Sequence, residues 1–295
     1  MVEIIIQKNY MKNIWITGAN GQLGTELQRK LARRKNIFAT DAELDICDAV
    51  AVKDFITQNH IGTIINCAAY TNVEAAEDNP DLCRKVNAEG PANLARAAKE
   101  ADAALVQIST DYVFDGCKRT PYREADSPAP LSIYGASKLE AEEAIRSIGC
   151  RGVVIRTAWL YSPYGKNFMK TMVALGRSRE SVSVVADQIG SPTAADSLSD
   201  AILKVIRNIG SRRGEIYHFS GDGPCSWSDF AAAIMHCAGL KCHVRDITSD
   251  EYPQKATRPA YSYLSKALIK QEFGIEAEPW QSALERNMRQ YKRNL

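Results

Sequence analysis

Nowhere in the 295 residues does an apolar run approach the roughly 20 residues that a membrane-spanning helix needs. A dominant charge is missing as well. The 37 Lys and Arg stand against 35 Asp and Glu, a formal +2, which gives no basic face of the kind that binds nucleic acid. Histidine is scarce, at four residues. The eight cysteines (Cys47, Cys67, Cys83, Cys117, Cys150, Cys225, Cys237 and Cys242) include no C-x-x-C pair. A chain of this size has no need of disulfide staples, so reduced thiols and a cytoplasmic setting are expected. His236-Cys237 and Cys242-His243 come nearest to a metal site, but their gaps do not match zinc spacings and no metal is expected. At the N-terminus, Ile4-Ile5-Ile6 between Glu3 and Lys8 is too short for a signal core, and Met11 is an alternative start. Repeats and low-complexity segments are absent.

What is present is an ordinary globular composition, 45% apolar and 24% charged, arranged in a clear rhythm. The pattern predicts strands at Asn13–Thr17, Asn36–Thr40, Thr63–Cys67, Ala104–Ser109 and Gly152–Thr157. Helices are predicted between them at Gln22–Arg34, Asp48–Gln58, Asn87–Glu100 and Ser132–Ile148. Strands alternating with helices imply an α/β fold: a doubly wound parallel sheet, Rossmann-like, because right-handed crossovers place helices on both faces. After Trp159, glycines and prolines break the chain into shorter pieces, with helices predicted at Lys166–Leu175, Ala195–Asn208, Ser226–Cys237 and Trp280–Tyr291. The expected division is a dinucleotide-binding domain over 11–160, with 195–219 packing back onto it, and a smaller C-terminal substrate lobe from 161–194 and 220–295.

Gly18-Ala19-Asn20-Gly21-Gln22-Leu23-Gly24 follows the first strand and opens the first helix. Glycines there permit a tight turn and close approach of a pyrophosphate to free helix N–H groups. The context, strand before and helix after, marks a cofactor loop. Asp41, at the end of the second strand, suits the hydroxyls of an adenosine ribose. NADH is therefore expected as the preferred cofactor, with NADPH tolerated through Arg33, Arg34 and Lys35. The plainer reading of those cations is that they complement a helix C-terminus. Asp45 and Ile46 are placed over the adenine.

Tyr134-Gly135-Ala136-Ser137-Lys138 is a Y-x-x-x-K. Residues four apart on a helix share a face, so the ammonium is expected near the phenol, lowering its pKa toward the working pH. A phenol so tuned can protonate a carbonyl oxygen under reduction. Twelve tyrosines make one chance pair of this kind unsurprising; its place after the fourth strand, at the ligand-bearing edge of an open sheet, is what singles it out. Thr110, ending the strand, can donate to the same oxygen, whereas Ser109 points the other way on an extended backbone.

With these residues the sequence resembles the extended short-chain dehydrogenase/reductase family over nearly its whole length. Asn66 to Thr71, Ser109 to Gly116, Arg156 to Tyr161, Ala186 to Thr193 and Arg258-Pro259 resemble its branch acting on dTDP-linked 4-keto sugars. The resemblance implies reduction of dTDP-4-dehydro-β-L-rhamnose at C4. It implies Thr110, Tyr134 and Lys138 as the catalytic set and Asn87 as its support. Gly21, Gln22 and Leu23 would lie on the pyrophosphate, and Ala68, Ala69 and Tyr70 along the cofactor. Asp111 and Trp159 would hold the deoxysugar, and Arg258 or Lys255 the nucleotide diphosphate. Tyr70 stands where relatives often have His, and Cys67 where Ala is common. No membrane or nucleic-acid partner is implied, and a homodimer is left open.

Three other readings compete. A 4,6-dehydratase needs a second carboxylate after Thr110-Asp111, where this chain has Tyr112. A 4-epimerase would retain its cofactor and turn over without an added one. A non-catalytic regulatory subunit would have no use for the Thr110/Tyr134/Lys138 set.

Overall fold

The computed structural model describes residues 13–294; the N-terminal Ile4–Ile6 run and Met11 lie outside the described residues. Six strands form the central sheet: β1 (Asn13–Thr17), β2 (Ile37–Ala39), β3 (Ile61–Asn66), β4 (Ala104–Thr110), β5 (Gly152–Thr157) and, arriving late in the chain, β10 (Arg213–His218). Their order is β10-β5-β4-β3-β1-β2, every pairing parallel. The order reverses beside β1, since β2 lies on one side of it and β3 on the other. Such a reversal opens a crevice at the carboxyl ends of the strands.

Side-chain alternation along the strands explains the layers. Ile14, Ile16, Ile65, Val106, Val153 and Ile155 face one way. They bury Leu23, Leu27 and Leu31 of helix α1 (Gln22–Leu31), and Leu198, Ile202 and Val205 of the helix Ala195–Arg207. Trp15, Ile64, Leu105 and Val154 face the other way, onto Val52 and Ile56 of α2 (Ala49–Gln58) and the alanine-rich face of the helix Gly90–Glu100. Thus β10 and the helix before it extend the sheet and cover one face of it.

The predicted helices form, and side-chain caps set the ends of several of them. Asp48 accepts from the N–H groups of Val50 and Ala51. Ser132 caps Ile133–Ile148 through Gly135 N–H, and Gly149 closes that helix in the left-handed conformation. Ser226 and Asp229 form a reciprocal capping box on Trp227–Ala238. The region before Asn87 departs from expectation. Two short helices, Val73–Asp78 and Pro80–Arg84, precede a wide turn over Lys85–Glu89, and the regular helix begins only at Gly90.

The C-terminal lobe has its own core, in which Tyr161, Met169, Val173, Phe230, Ile234, Trp280 and Leu284 meet. Short strand pairs frame it: β6 (Leu160–Tyr161) with β9 (Thr193–Ala194), β7 (Ser181–Val185) with β12 (His243–Ile247), and β8 (Ile189–Gly190) with β11 (Cys225–Ser226). Among the described residues, no helix is long and apolar enough to cross a membrane.

Candidate active site

A cleft of about 970 Å³ runs across the carboxyl ends of β1, β3, β4 and β5 and reaches the C-terminal lobe. That is the upper end of the range for small-molecule sites, roughly 300–1,000 Å³. Gly18, Gly21, Gln22, Leu23, Gly24, Asp41, Asp45, Ile46, Ala68 and Ala69 line it, as do Thr110, Asp111, Tyr134, Lys138, Trp159 and Arg258. Tyr70 and Lys255 do not. The half-buried Tyr70 exchanges backbone bonds with the Asn87 side chain, at 2.8 and 3.0 Å. Lys255 pairs with Asp78 at 2.5 Å.

At one end the glycine loop is packed to backbone contact. Gly18 has φ +58°, and a Cβ there would stand 2.6 Å from Ala68 N; one on Gly24 would stand 2.5 Å from the Gly18 carbonyl oxygen. The loop can therefore lie against β3 and admit a pyrophosphate on the N-terminal turn of α1, whose first-turn N–H groups no side chain caps. The residues fit a dinucleotide. Asn167 donates to Gln22 Oε1 at 2.9 Å, joining this loop to the C-terminal lobe. Nothing in the local sequence signals that contact between positions 145 residues apart.

The Asp41 carboxylate accepts from Asn20 N–H at 2.8 Å, and Asp41 N–H donates to Glu43. With Asp45 nearby, three carboxyl groups surround the carboxyl end of β2. Arg33, Arg34 and Lys35 precede that strand and none of them lines the cleft. They lie on the amino-terminal side of that strand.

Thr110 and Tyr134 come together at the end of β4. The Thr110 hydroxyl lies beside the Tyr134 phenol and donates to Asp111 Oδ1 at 3.1 Å. Burial lifts the phenol pKa above its ordinary value, and the neighbouring Asp111 and Tyr112 act in the same direction. The expectation of an ammonium-acidified phenol is corrected here. Lys138 is buried, its Nζ donates to the Ile108 carbonyl at 2.6 Å, and burial brings its own pKa down to about 8. Tyr134 is thus held protonated, the form that reduction consumes. Ser109 also lines the cleft, but its hydroxyl donates to Glu142 at 2.5 Å. Asn87 ties the Tyr70 backbone to Ser137 Oγ, at 3.2 Å, in the Tyr134 helix.

The sugar end carries groups that no protein atom satisfies. Asp111 Oδ2, Thr157 Oγ1 and Arg258 Nε are buried without hydrogen-bond partners, and all three residues line the cleft. Burial raises the Asp111 pKa to about 6. Arg258 bonds Glu74 at 2.5 Å and the Tyr112 hydroxyl at 3.1 Å. The position where a dehydratase needs its second carboxylate is therefore filled by a phenol already engaged with an arginine.

Trp159, at φ +48°, stacks on Trp227 with ring centroids 3.7 Å apart and planes 13° from parallel. A Cβ on Gly190 would lie 2.7 Å from the Trp159 indole, so the Ala186–Thr193 run leaves room for that ring. Trp227 and the exposed Lys166 also line the cleft. Sequence reasoning did not find either one, because only tertiary packing brings them there. Among the described residues, no group of three His, Cys, Asp or Glu is arranged to hold a metal.

A doubly wound sheet with a dinucleotide cradle at its switch point, and a Thr/Tyr/Lys set beside it, defines a nicotinamide-dependent oxidoreductase of the short-chain dehydrogenase/reductase class. The family model described as RmlD substrate binding domain matches residues 11–293, and the chain belongs to that family. It is similar to a dTDP-4-dehydrorhamnose reductase of Aggregatibacter actinomycetemcomitans, 39% identical over 95% of this chain and 99% of the relative. The spore coat polysaccharide biosynthesis protein SpsK of Bacillus subtilis is 40% identical over 93% and 96%. The crystal structure of a Bacillus anthracis dTDP-4-dehydrorhamnose reductase in complex with NADP superposes with a TM-score of 0.90, at 41% identity, covering 95% of this chain and 99% of that one.

Proposed function

We propose that this chain reduces the 4-keto group of dTDP-4-dehydro-β-L-rhamnose to give dTDP-L-rhamnose, with NADH preferred over NADPH. The observation that carries the reading is a half-buried Tyr134 beside Thr110 in a cleft that also holds a dinucleotide cradle. Gly18, Gly21, Gln22, Leu23, Gly24, Asp41, Asp45, Ile46, Ala68 and Ala69 would hold the cofactor, which supplies the hydride when bound. Thr110 donates to the ketone oxygen. Tyr134 gives its proton to that oxygen as negative charge develops on it, and Lys138 holds the ribose side of the site. Asp111, Trp159 and Arg258 bind the sugar nucleotide; Arg258 supplies the charge that a diphosphate requires. Asn87 keeps the loop after β3 docked on the Tyr134 helix. The carboxylates around Asp41 favour the unphosphorylated ribose, because a 2′-phosphate there would meet like charge.

The eight unpaired thiols suit a reducing cytoplasm. The exposed Leu82 and Leu131 are candidate contacts for a homodimer, which sedimentation velocity of a Leu82→Lys variant would test. The activity is tested by following NADH absorbance with the dTDP-4-keto sugar generated in situ, with NADPH and a UDP-keto sugar as comparisons. Loss of absorbance with the dTDP substrate is expected. An unchanged trace with every keto sugar contradicts the reading, and turnover without added cofactor points to an epimerase instead.

A further inference from the structure

Tyr134, Lys138 and Glu142 are spaced by four along Ile133–Ile148, so they line one face of that helix. Glu142 is only 1% exposed and does not line the cleft. Its Oε1 accepts from Ser109 Oγ at 2.5 Å and Arg156 Nε at 2.9 Å, and its Oε2 accepts from Arg156 Nη2 at 2.5 Å. Arg156 is equally buried, with its guanidinium 4.9 Å from the Phe114 ring centroid and Nη1 3.5 Å from His218 Nε2. A fully buried ion pair is a poor source of stability, because desolvation offsets most of the attraction and apolar replacements often serve as well.

Glu142 stands one helical turn beyond Lys138 on the same face. The groups facing that lysine are the Ile108 carbonyl from β4, the Cys67 thiol after β3, the Cys83 thiol from Pro80–Arg84, and Glu142 on its own helix. Among these only Glu142 is a carboxylate. Burial works against the lysine cation, and Glu142 is the foremost opposing influence.

We propose that Glu142 is a positioning residue of the reductase: locked by Ser109 and Arg156, it is the countercharge that keeps Lys138 cationic inside the cleft. Ser109, at the end of the same strand as Thr110, then has a role beyond lining the cleft, because it fixes the carboxylate that governs the lysine. The inference rests on the reductase reading for its kinetic arm alone.

The test measures the pH dependence of kcat/KM, the pH dependence of NADH affinity by fluorescence titration, and the melting temperature. It compares the wild type with Glu142→Gln, Glu142→Asp and the double variant Glu142→Gln/Arg156→Met. In Glu142→Gln the alkaline limbs of both profiles move down by about one pH unit, equal to a tenfold change in the lysine's proton affinity. Glu142→Asp loses melting temperature as well but restores the limbs toward wild type. The double variant regains melting temperature, since no buried charge is left unpaired, yet keeps a smaller downward shift. Limbs that follow melting temperature across the series, or that stay fixed in Glu142→Gln, overturn the proposal. If the single glutamine variant does not fold, the aspartate and double variants still decide. If the wild type does not reduce the keto sugar, the reductase reading fails, while the NADH-binding profiles still test Glu142.

Discussion

Replacing Gly18 with alanine separates two costs that the structure makes distinct. At φ +58° an L-residue carries the left-handed penalty, about 1–2 kcal/mol. In addition the new Cβ meets three backbone atoms, Ala68 N at 2.6 Å, Ala68 Cα at 2.7 Å and the Cys67 carbonyl carbon at 2.8 Å. None of these can rotate away as a flexible side chain would, so the overlap adds the usual overpacking cost of about 1–3 kcal/mol. The expected total is about 2–5 kcal/mol. Gly239 isolates the first cost: its φ is +75° and a Cβ there meets nothing within 4 Å. Gly24 isolates the second, since its Cβ would stand 2.5 Å from the Gly18 carbonyl oxygen and its helical backbone suits any residue. Melting temperatures of the three alanine variants should therefore fall least for Gly239 and most for Gly18, by roughly 2 °C or more per kcal/mol. NADH affinity, read by fluorescence titration, should fall at least about tenfold for Gly18→Ala, because the displaced backbone is the cofactor's own wall, and stay unchanged for Gly239→Ala. If Gly18→Ala costs no more than Gly239→Ala, the close packing of the glycine loop on β3 is refuted.

Three further outcomes follow from the site. kcat/KM should favour NADH over NADPH, and Asp41→Ser with Glu43→Ser should narrow that ratio by about tenfold; an unchanged ratio would show that these carboxylates do not read the ribose. Gly190→Ala should press on Trp159 and raise the KM for the keto sugar, leaving the NADH dissociation constant unchanged; equal effects on both would place Trp159 outside the sugar site. Burial, with Arg156 adding to it, pushes the His218 pKa down from 6.5 to about 3. The folded state therefore binds fewer protons than the unfolded chain between those values. Its contribution is complete above pH 6.5 and is lost as pH falls, by at most about 1.4 kcal/mol per unit. Urea unfolding of His218→Gln should show a flatter acid slope over that window, and a slope equal to the wild type's would contradict the assignment.

The sheet was legible because its strands are short apolar runs between helical periods, and Gly152–Thr157 was read to the residue. The helix predicted over Ser226–Cys237 forms at Trp227–Ala238, because local hydrogen-bonding chemistry, the Ser226/Asp229 capping box, starts it there. Positions 73–89 were not legible. They form two short helices and a wide turn in a polar stretch whose conformation is fixed by Asn87 reaching back to Tyr70. In the site, a four-residue spacing showed that Tyr134 and Lys138 share a helix face. It could not show that the lysine would be buried, nor that desolvation of the phenol reverses the expected direction of its shift. Asn167 on Gln22 and Trp227 on Trp159 join segments far apart in the chain, and no local pattern encodes them.

The central claim is that the Tyr134 phenol delivers the proton to the reduced ketone. Single-turnover reduction of the dTDP-4-keto sugar by the NADH complex of Tyr134→Phe tests it most directly. The account predicts NADH affinity within about twofold of wild type and a rate lower by about 10²–10⁴. A phenylalanine variant that reduces the sugar at close to the wild-type rate contradicts it.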